Sequence, residues 1–125
     1  TSVALAHLFG EERHPPDELW SETLFASRLL EYELWTRLHA RSLARTHADS
    51  VRGLLARVAF VELTPNILAR VVEGFPGAIR TLDALHLASA DFMLRQGQTV
   101  ELASYDDRML EAARRIKLAI SPYSA

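Results

Sequence analysis

Cysteine is absent from the 125 residues, so the fold can use neither disulfides nor a thiolate metal site, a composition that fits a reducing compartment. Long apolar runs are absent too. Nothing approaches the roughly 20 consecutive apolar residues that span a bilayer, and the first residues carry neither the basic n-region nor the apolar stretch of a signal peptide. Lysine is almost missing: of 14 basic residues only Lys117 is a lysine. An arginine surplus of this kind either grips phosphates bidentately or records a GC-rich genome. The net charge of -2 excludes a protein coated in positive charge, while leaving room for a local basic patch.

What is present reads as one globular domain. Apolar residues make up 49% and charged residues 24% of the chain, close to globular averages, and a chain of this length buries enough surface for a single core. No repeat or low-complexity linker marks a boundary, and a soluble, cytoplasmic protein without membrane segments is expected. Thr1 is not preceded by methionine, which points to a trimmed initiator or to a fragment of a longer chain.

Helical and extended patterns alternate. A short helix capped by Thr1 or Ser2 runs to Phe9 and stops at Gly10, and Pro15 and Pro16 break the chain before a helical piece around Asp17 to Trp20. Leu24-Phe25-Ala26 reads as a strand and Ser27 as the cap of a helix from Arg28 to about Arg45, with Leu30, Leu34 and Leu38 at four-residue spacing. An amphipathic stretch from Asp49 to Val58 precedes a strand over 59–63. Thr64-Pro65 opens a helix that ends at Gly74, Thr81 caps one that runs to Gln96, and Thr99 to Ser104 reads as a strand. Asp106 caps a helix through Arg115, and 118–120 is a last strand before Pro122. Such alternation predicts an α/β fold with a parallel sheet covered by crossover helices.

In open parallel sheets, ligands bind outside the carboxyl ends of the strands, where the following helices begin. Asp106, Asp83 and Glu33 fall near such places. Each also has a plain structural role open to it: Asp106 as a cap, Asp83 at N2 complementing the helix dipole, and Glu33 pairing with Arg37 at i, i+4. If the three converge, carboxylates about 5 Å apart repel by roughly 3 kcal/mol per pair at an effective dielectric near 20. Either raised pKa values or a hard divalent cation must then neutralise them, and oxygen-only ligands favour Mg²⁺ or Mn²⁺. Arg28, Arg37, Arg41 and Arg45 lie along one predicted helix and are candidate phosphate contacts. Trp20, Tyr32 and Trp35 exceed what a short helical region needs for one core and suggest a partner groove.

Three segments resemble a known family. Arg80-Thr81-Leu82-Asp83-Ala84-Leu85-His86-Leu87-Ala88 closely resembles the stretch carrying the third acidic residue of PIN domains of the VapC toxin type. Ser104-Tyr105-Asp106-Asp107-Arg108-Met109 resembles the segment with the fourth, and Ser27-Arg28-Leu29-Leu30-Glu31-Tyr32-Glu33-Leu34 the one with the second. The Asp83 motif is fairly specific; the other two gain weight as an ordered set.

The resemblance implies a single PIN-like domain over 1–125, a three-layer α/β/α sandwich with a central parallel sheet. It implies a metal-dependent endoribonuclease toxin that cleaves RNA, often tRNA, with Mg²⁺ or Mn²⁺ held by Glu33, Asp83 and Asp106 as catalytic residues. Further implications are a VapB-like antitoxin that neutralises it and a homodimer. In this family the first acidic residue ends the first strand and is followed by a pair like Thr1-Ser2, which puts both strand and aspartate upstream of Thr1 and makes Ser2 a polar contributor to the site. The alternative is a catalytically silent PIN-fold module that binds RNA or protein without the first acidic ligand. Asp107, turned about 100° from Asp106 around the helix, and Glu31 are weaker substitutes, and His86, three residues after Asp83, reads as a packed, hydrogen-bonded histidine. A flavodoxin-like receiver is disfavoured, since no strand-borne phospho-acceptor aspartate or late lysine after a strand is evident.

Overall fold

The computed structural model describes residues 1–9 and 15–124. The expected helix stop at Gly10 lies outside the described residues. Helix α1 (Ser2–Phe9) and a 3₁₀ turn (Asp17–Ser21) lead into strand β1 (Leu24–Ser27), helices α2 (Leu29–Ala40) and α3 (Ala44–Leu55), and strand β2 (Val58–Val61). Helices α4 (Pro65–Glu73) and α5 (Thr81–Arg95) follow. Strand β3 (Glu101–Leu102), helix α6 (Asp107–Arg115), strand β4 (Ala119–Ile120) and a second 3₁₀ turn (Pro122–Ser124) complete the order. Among the described residues no helix is long and apolar enough to cross a membrane.

The strands are parallel, as the alternation predicted. β1 pairs with β2 from Leu24↔Val58 to Ser27↔Val61, and β3 pairs with β4 through Glu101↔Ala119 and Leu102↔Ile120. The sheet is present as two parallel pairs that share no hydrogen-bonded strand among the described residues. β3 is much shorter than the predicted run from Thr99 to Ser104 because its partner ends early. The Ser121 N–H donates to the Leu102 carbonyl, and Pro122, lacking an N–H, turns the chain away.

Each pair carries its own apolar cluster. Ala4, Leu30, Leu34 and Leu54 form one, with Trp20, Ala26, Val58 and Phe60 packed against it; Leu87, Met109, Ala112, Ala113 and Leu118 form the other, with Leu102 and Ile120 at its edge. The four-residue spacing of Leu30, Leu34 and Leu38 does what it predicts: all three are buried along one face of α2. α4 and α5 are tied by Asp91, a buried carboxylate that accepts from Arg70 Nε at 3.2 Å and lies 3.0 Å from Arg95 Nε. Burial of that charge is tolerated because two guanidinium groups meet it.

Several predicted boundaries shift for local reasons. The helix expected from Arg28 to about Arg45 is two helices, α2 and α3, and α3 starts at Ala44 rather than at Asp49. The break is a Schellman turn: Leu43 N–H donates to Leu38 O at 2.8 Å, Ser42 N–H to His39 O at 3.1 Å, and Ser42 adopts φ 57°. Lys117, φ 62°, ends α6 in the same way, and Gly97, φ 89°, ends α5. β2 runs from Val58 to Val61 instead of 59–63. Thr81 is the first helical residue of α5 and not its cap; Arg80 occupies the cap position in extended geometry without a side-chain cap bond, which moves Asp83 from N2 to N3. Arg28, not Ser27, holds the cap position of α2, without a side-chain cap bond, while Ser27 Oγ accepts the Leu29 N–H at 3.1 Å from just before it.

Left-handed residues with a Cβ cost about 1 kcal/mol or more, which gives opposite expectations at two equivalent turns. Ser42→Gly should raise the unfolding free energy and Gly97→Ala lower it, each by roughly 1 kcal/mol or less. A Cβ at Gly97 meets nothing within 4 Å, so the second effect is backbone strain alone. Equilibrium unfolding in urea measures both, and a shift of the opposite sign at either position contradicts the turn assignment.

Candidate active site

Two of the three acidic residues come from the starts of helices that directly follow a strand, α2 after β1 and α6 after β3, and the third from the start of α5, which follows α4. Asp83 sits in the first turn of α5, Asp106 immediately precedes α6, and Glu33 lies in the second turn of α2. Asp83 and Asp106 line one cleft of about 310 Å³ together with Arg80, Asp107 and Arg108.

The loop before α6 is held from three sides. Ser104 N–H donates to Ser124 Oγ at 3.1 Å, Ser104 Oγ accepts the Asp106 N–H at 3.0 Å, and Ser2 Oγ accepts the Tyr105 N–H at 3.0 Å. Ser2 therefore anchors α1 to this loop. Asp106 is also the cap it was read to be: its Oδ1 accepts from Arg108 N at 2.9 Å and Met109 N at 3.1 Å. Capping occupies one oxygen and leaves the residue in the cleft wall, so the structural role and a place in the site coexist.

Glu33 makes no i, i+4 pair with Arg37. Its Oε1 accepts from Thr1 Oγ1 and stands 2.5 Å from His86 Nε2 on α5. The carboxylates respond in opposite directions. Burial works to raise Glu33, but hydrogen bonds from His86 and Thr1 outweigh it and hold the carboxyl below its usual range. Burial, then the Asp106 carboxylate, push Asp83 up; His86 opposes this and Glu33 adds to it. Asp83 thus feels both other carboxylates, although among the described residues no three acidic or histidine side chains are gathered closely enough to enclose an ion. Asp83 and Asp106 share the cleft, whereas Glu33 is engaged by His86 and Thr1.

The predicted arginine stripe is not continuous. The turn at Arg41–Leu43 puts Arg45 on a different helix from Arg37 and Arg41. Arg28 is held by two carboxylates, Nε 2.8 Å from Glu62 and Nη1 3.0 Å from Glu31, and lies 4.2 Å over the Phe60 ring; the same pairing commits Glu31. Arg41 stacks 4.5 Å over Phe9, while Arg37 and Arg45 are exposed. The arginines at the cleft are Arg80 and Arg108, which sequence reading passed over. Their signal was adjacency, each lying within three residues of a site aspartate and at the start of its helix. Of the aromatics singled out, Trp20 and Trp35 are part-buried and Tyr32 is exposed.

A family profile described as PIN domain matches residues 1–115. Ribonuclease VapC35 proteins from two strains of Mycobacterium tuberculosis are each 32% identical to this chain over 95 residues, 75% of the chain and 68% of the relative. No solved structure matches it.

The opposed shifts predict opposite stability effects in metal-free buffer at pH 7. A carboxyl raised by folding costs stability once ionised, so Asp83 weakens the fold as pH climbs through its raised range, and Asp83→Asn should melt about 2 °C above the parent at low salt. A lowered carboxyl contributes stability above the ordinary glutamate range and loses it as pH falls, so Glu33→Gln should melt a few degrees below the parent. Both differences should shrink towards pH 3. Thermal melts across pH test this, and an Asp83→Asn variant less stable than the parent at pH 7 would show that Asp83 is only a helix-dipole residue.

Proposed function

The chain belongs to the PIN-domain family, and from that premise we propose that the cleft between α5 and α6 is the active site of a divalent-metal-dependent endoribonuclease of the VapC toxin type. The observation that carries the reading is the shared cleft of Asp83 and Asp106, in which burial and the neighbouring carboxylate raise Asp83. Three carboxylates against two guanidinium groups leave the cleft net negative, so a cation is the natural complement for a polyanionic substrate. The donors suit Mg²⁺ or Mn²⁺ in kind: oxygen only, with no thiolate in the chain. Mg²⁺ commonly takes one or two carboxylates and fills its remaining positions with water and substrate phosphate. Asp83 and Asp106 would hold it, with Glu33 beside them, and the bound ion would supply an activated water and stabilisation of the leaving oxygen in phosphodiester hydrolysis.

The chain's own groups do the rest. Arg80 and Arg108 flank the carboxylates in the cleft wall and can take phosphates on either side of the scissile bond, since the guanidinium fork fits phosphate oxygens. Asp106, fixed by its two backbone donors, keeps one oxygen turned from the helix end. Ser2 holds the Asp106 loop in place through Tyr105.

The reading extends to a cytoplasmic toxin acting on RNA such as tRNA, neutralised by a VapB-like antitoxin and working as a homodimer. Exposed apolar residues on α4, Leu68 and Val72 at i, i+4, are consistent with a surface that such a partner covers. The second reading, a silent PIN-fold binding module, is favoured by the absence of a ready three-residue ion cluster among the described residues.

Metal and RNA separate the two. Mg²⁺ or Mn²⁺ at 100 times its dissociation constant should stabilise the parent by about 2.7 kcal/mol, Asp83→Asn should respond weakly, and metal-dependent cleavage of a tRNA pool should fall at least about 100-fold in that variant. A parent that neither responds to metal nor cleaves, yet binds RNA, supports the silent module. For RNA contact, each lost phosphate contact flattens the salt dependence by about 0.7 on single strands. Arg80→Ala with Arg108→Ala should therefore reduce the slope of log affinity against log salt by about 1.4, and Arg41→Ala with Arg45→Ala by less. Filter binding at several salt concentrations reads both, and equal slopes for the parent and the Arg80 and Arg108 double variant remove these residues from the RNA surface.

A further inference from the structure

His86 is part-buried on α5, three residues beyond Asp83, and reaches across 53 positions of sequence to α2, where its Nε2 lies 2.5 Å from Glu33 Oε1. Both side chains are largely withdrawn from solvent, His86 at 13% and Glu33 at 16% exposed. Thr1 Oγ1 donates to the same oxygen. Two donors thus converge on Oε1, and among the described residues Oε2 receives none. A glutamate has three rotatable bonds; a carboxylate gripped by one oxygen from two directions loses most of that freedom while keeping the other oxygen available. Hydrogen bonding that orients a carboxylate in this way is the usual means by which outer groups set the geometry of a metal site.

We propose that His86 is the positioning residue of Glu33, its Nε2–H fixing Oε1 so that Oε2 is the oxygen presented to the site. This rests on the metal-dependent reading given above. His86 itself is not a ligand: its Nε2 is committed to Glu33. The role needs a donor where Nε2 stands, not an imidazole as such. Glutamine, whose amide nitrogen reaches about as far as Nε2, should replace it, whereas phenylalanine keeps the packing between α2 and α5 and removes the donor.

The test is Mn²⁺ binding to the purified chain by isothermal titration calorimetry, with a thermal melt of every variant to confirm folding. His86→Phe should weaken Mn²⁺ binding by about 10- to 100-fold, and His86→Gln should recover it to within a few-fold of the parent. In a Glu33→Gln background, His86→Phe should cause little additional loss, because the histidine acts through that carboxylate. Binding by His86→Phe equal to the parent, no recovery in His86→Gln, or full additivity with Glu33→Gln overturns the proposal while leaving the metal site intact. If the parent binds Mn²⁺ no better than Asp83→Asn does, the metal-site reading fails and this inference fails with it.

Discussion

Parallel strands cannot be joined by a tight turn, and this constraint arranges everything else in the molecule. Each pair must be bridged by helix, and the bridges return the chain so that successive helices start at the same end of the strands. β1 to β2 is bridged by α2 and α3, and β3 to β4 by α6. Helix α5, packed on both α2 and α6, then brings Asp83 to the starts of those helices although Glu33, Asp83 and Asp106 are 50 and 23 residues apart in the chain. The apolar clusters under the two strand pairs hold this arrangement, and the Asp91 ion pairs fix α4 against α5.

Within the collected set the electrostatics are uneven, and the unevenness carries chemical meaning. Glu33 is compensated by His86 and Thr1 and stays readily ionised; Asp83 has no such donor and faces Asp106. Burial, with like charge that is only partly offset, is what pushes Asp83 up. Arg80 and Arg108 line the same cleft as the two aspartates. Arg28, by contrast, is held by Glu31 and Glu62 and serves to join the end of β2 to the start of α2.

Much of the element order was legible because it rests on local signals. The four-residue spacing of Leu30, Leu34 and Leu38, the Thr64-Pro65 start of α4 and the Gly97 stop of α5 need only neighbouring residues to act. The break between α2 and α3 escaped because the left-handed position of its turn is held by Ser42 in place of glycine, and Lys117 does the same after α6. Such a turn is closed by the Leu43 N–H returning to Leu38 O, a backbone bond that the residue types around it do not announce. The misplaced cap of α5 has a similar origin: Thr81 is a good cap by type, yet the chain enters the helix one residue earlier.

For the site, the ordered motifs around Glu33, Asp83 and Asp106 pointed to the family from residue identity alone. Asp106 as a cap followed from its place before an amphipathic stretch. The sequence by itself determined which residues carry acid, the order of helices and strands and that the strands run parallel, because hydrophobic period acts over a few residues. Only the tertiary structure decided that Asp83 and Asp106 share a cleft, that Arg80 and Arg108 and not the α2 arginines line it, and that His86 holds Glu33. Those relations depend on the packing of α2 against α5 and on the return of the chain through Ser124 and Ser2. Contacts between residues far apart in sequence have no local signature from which they could be read.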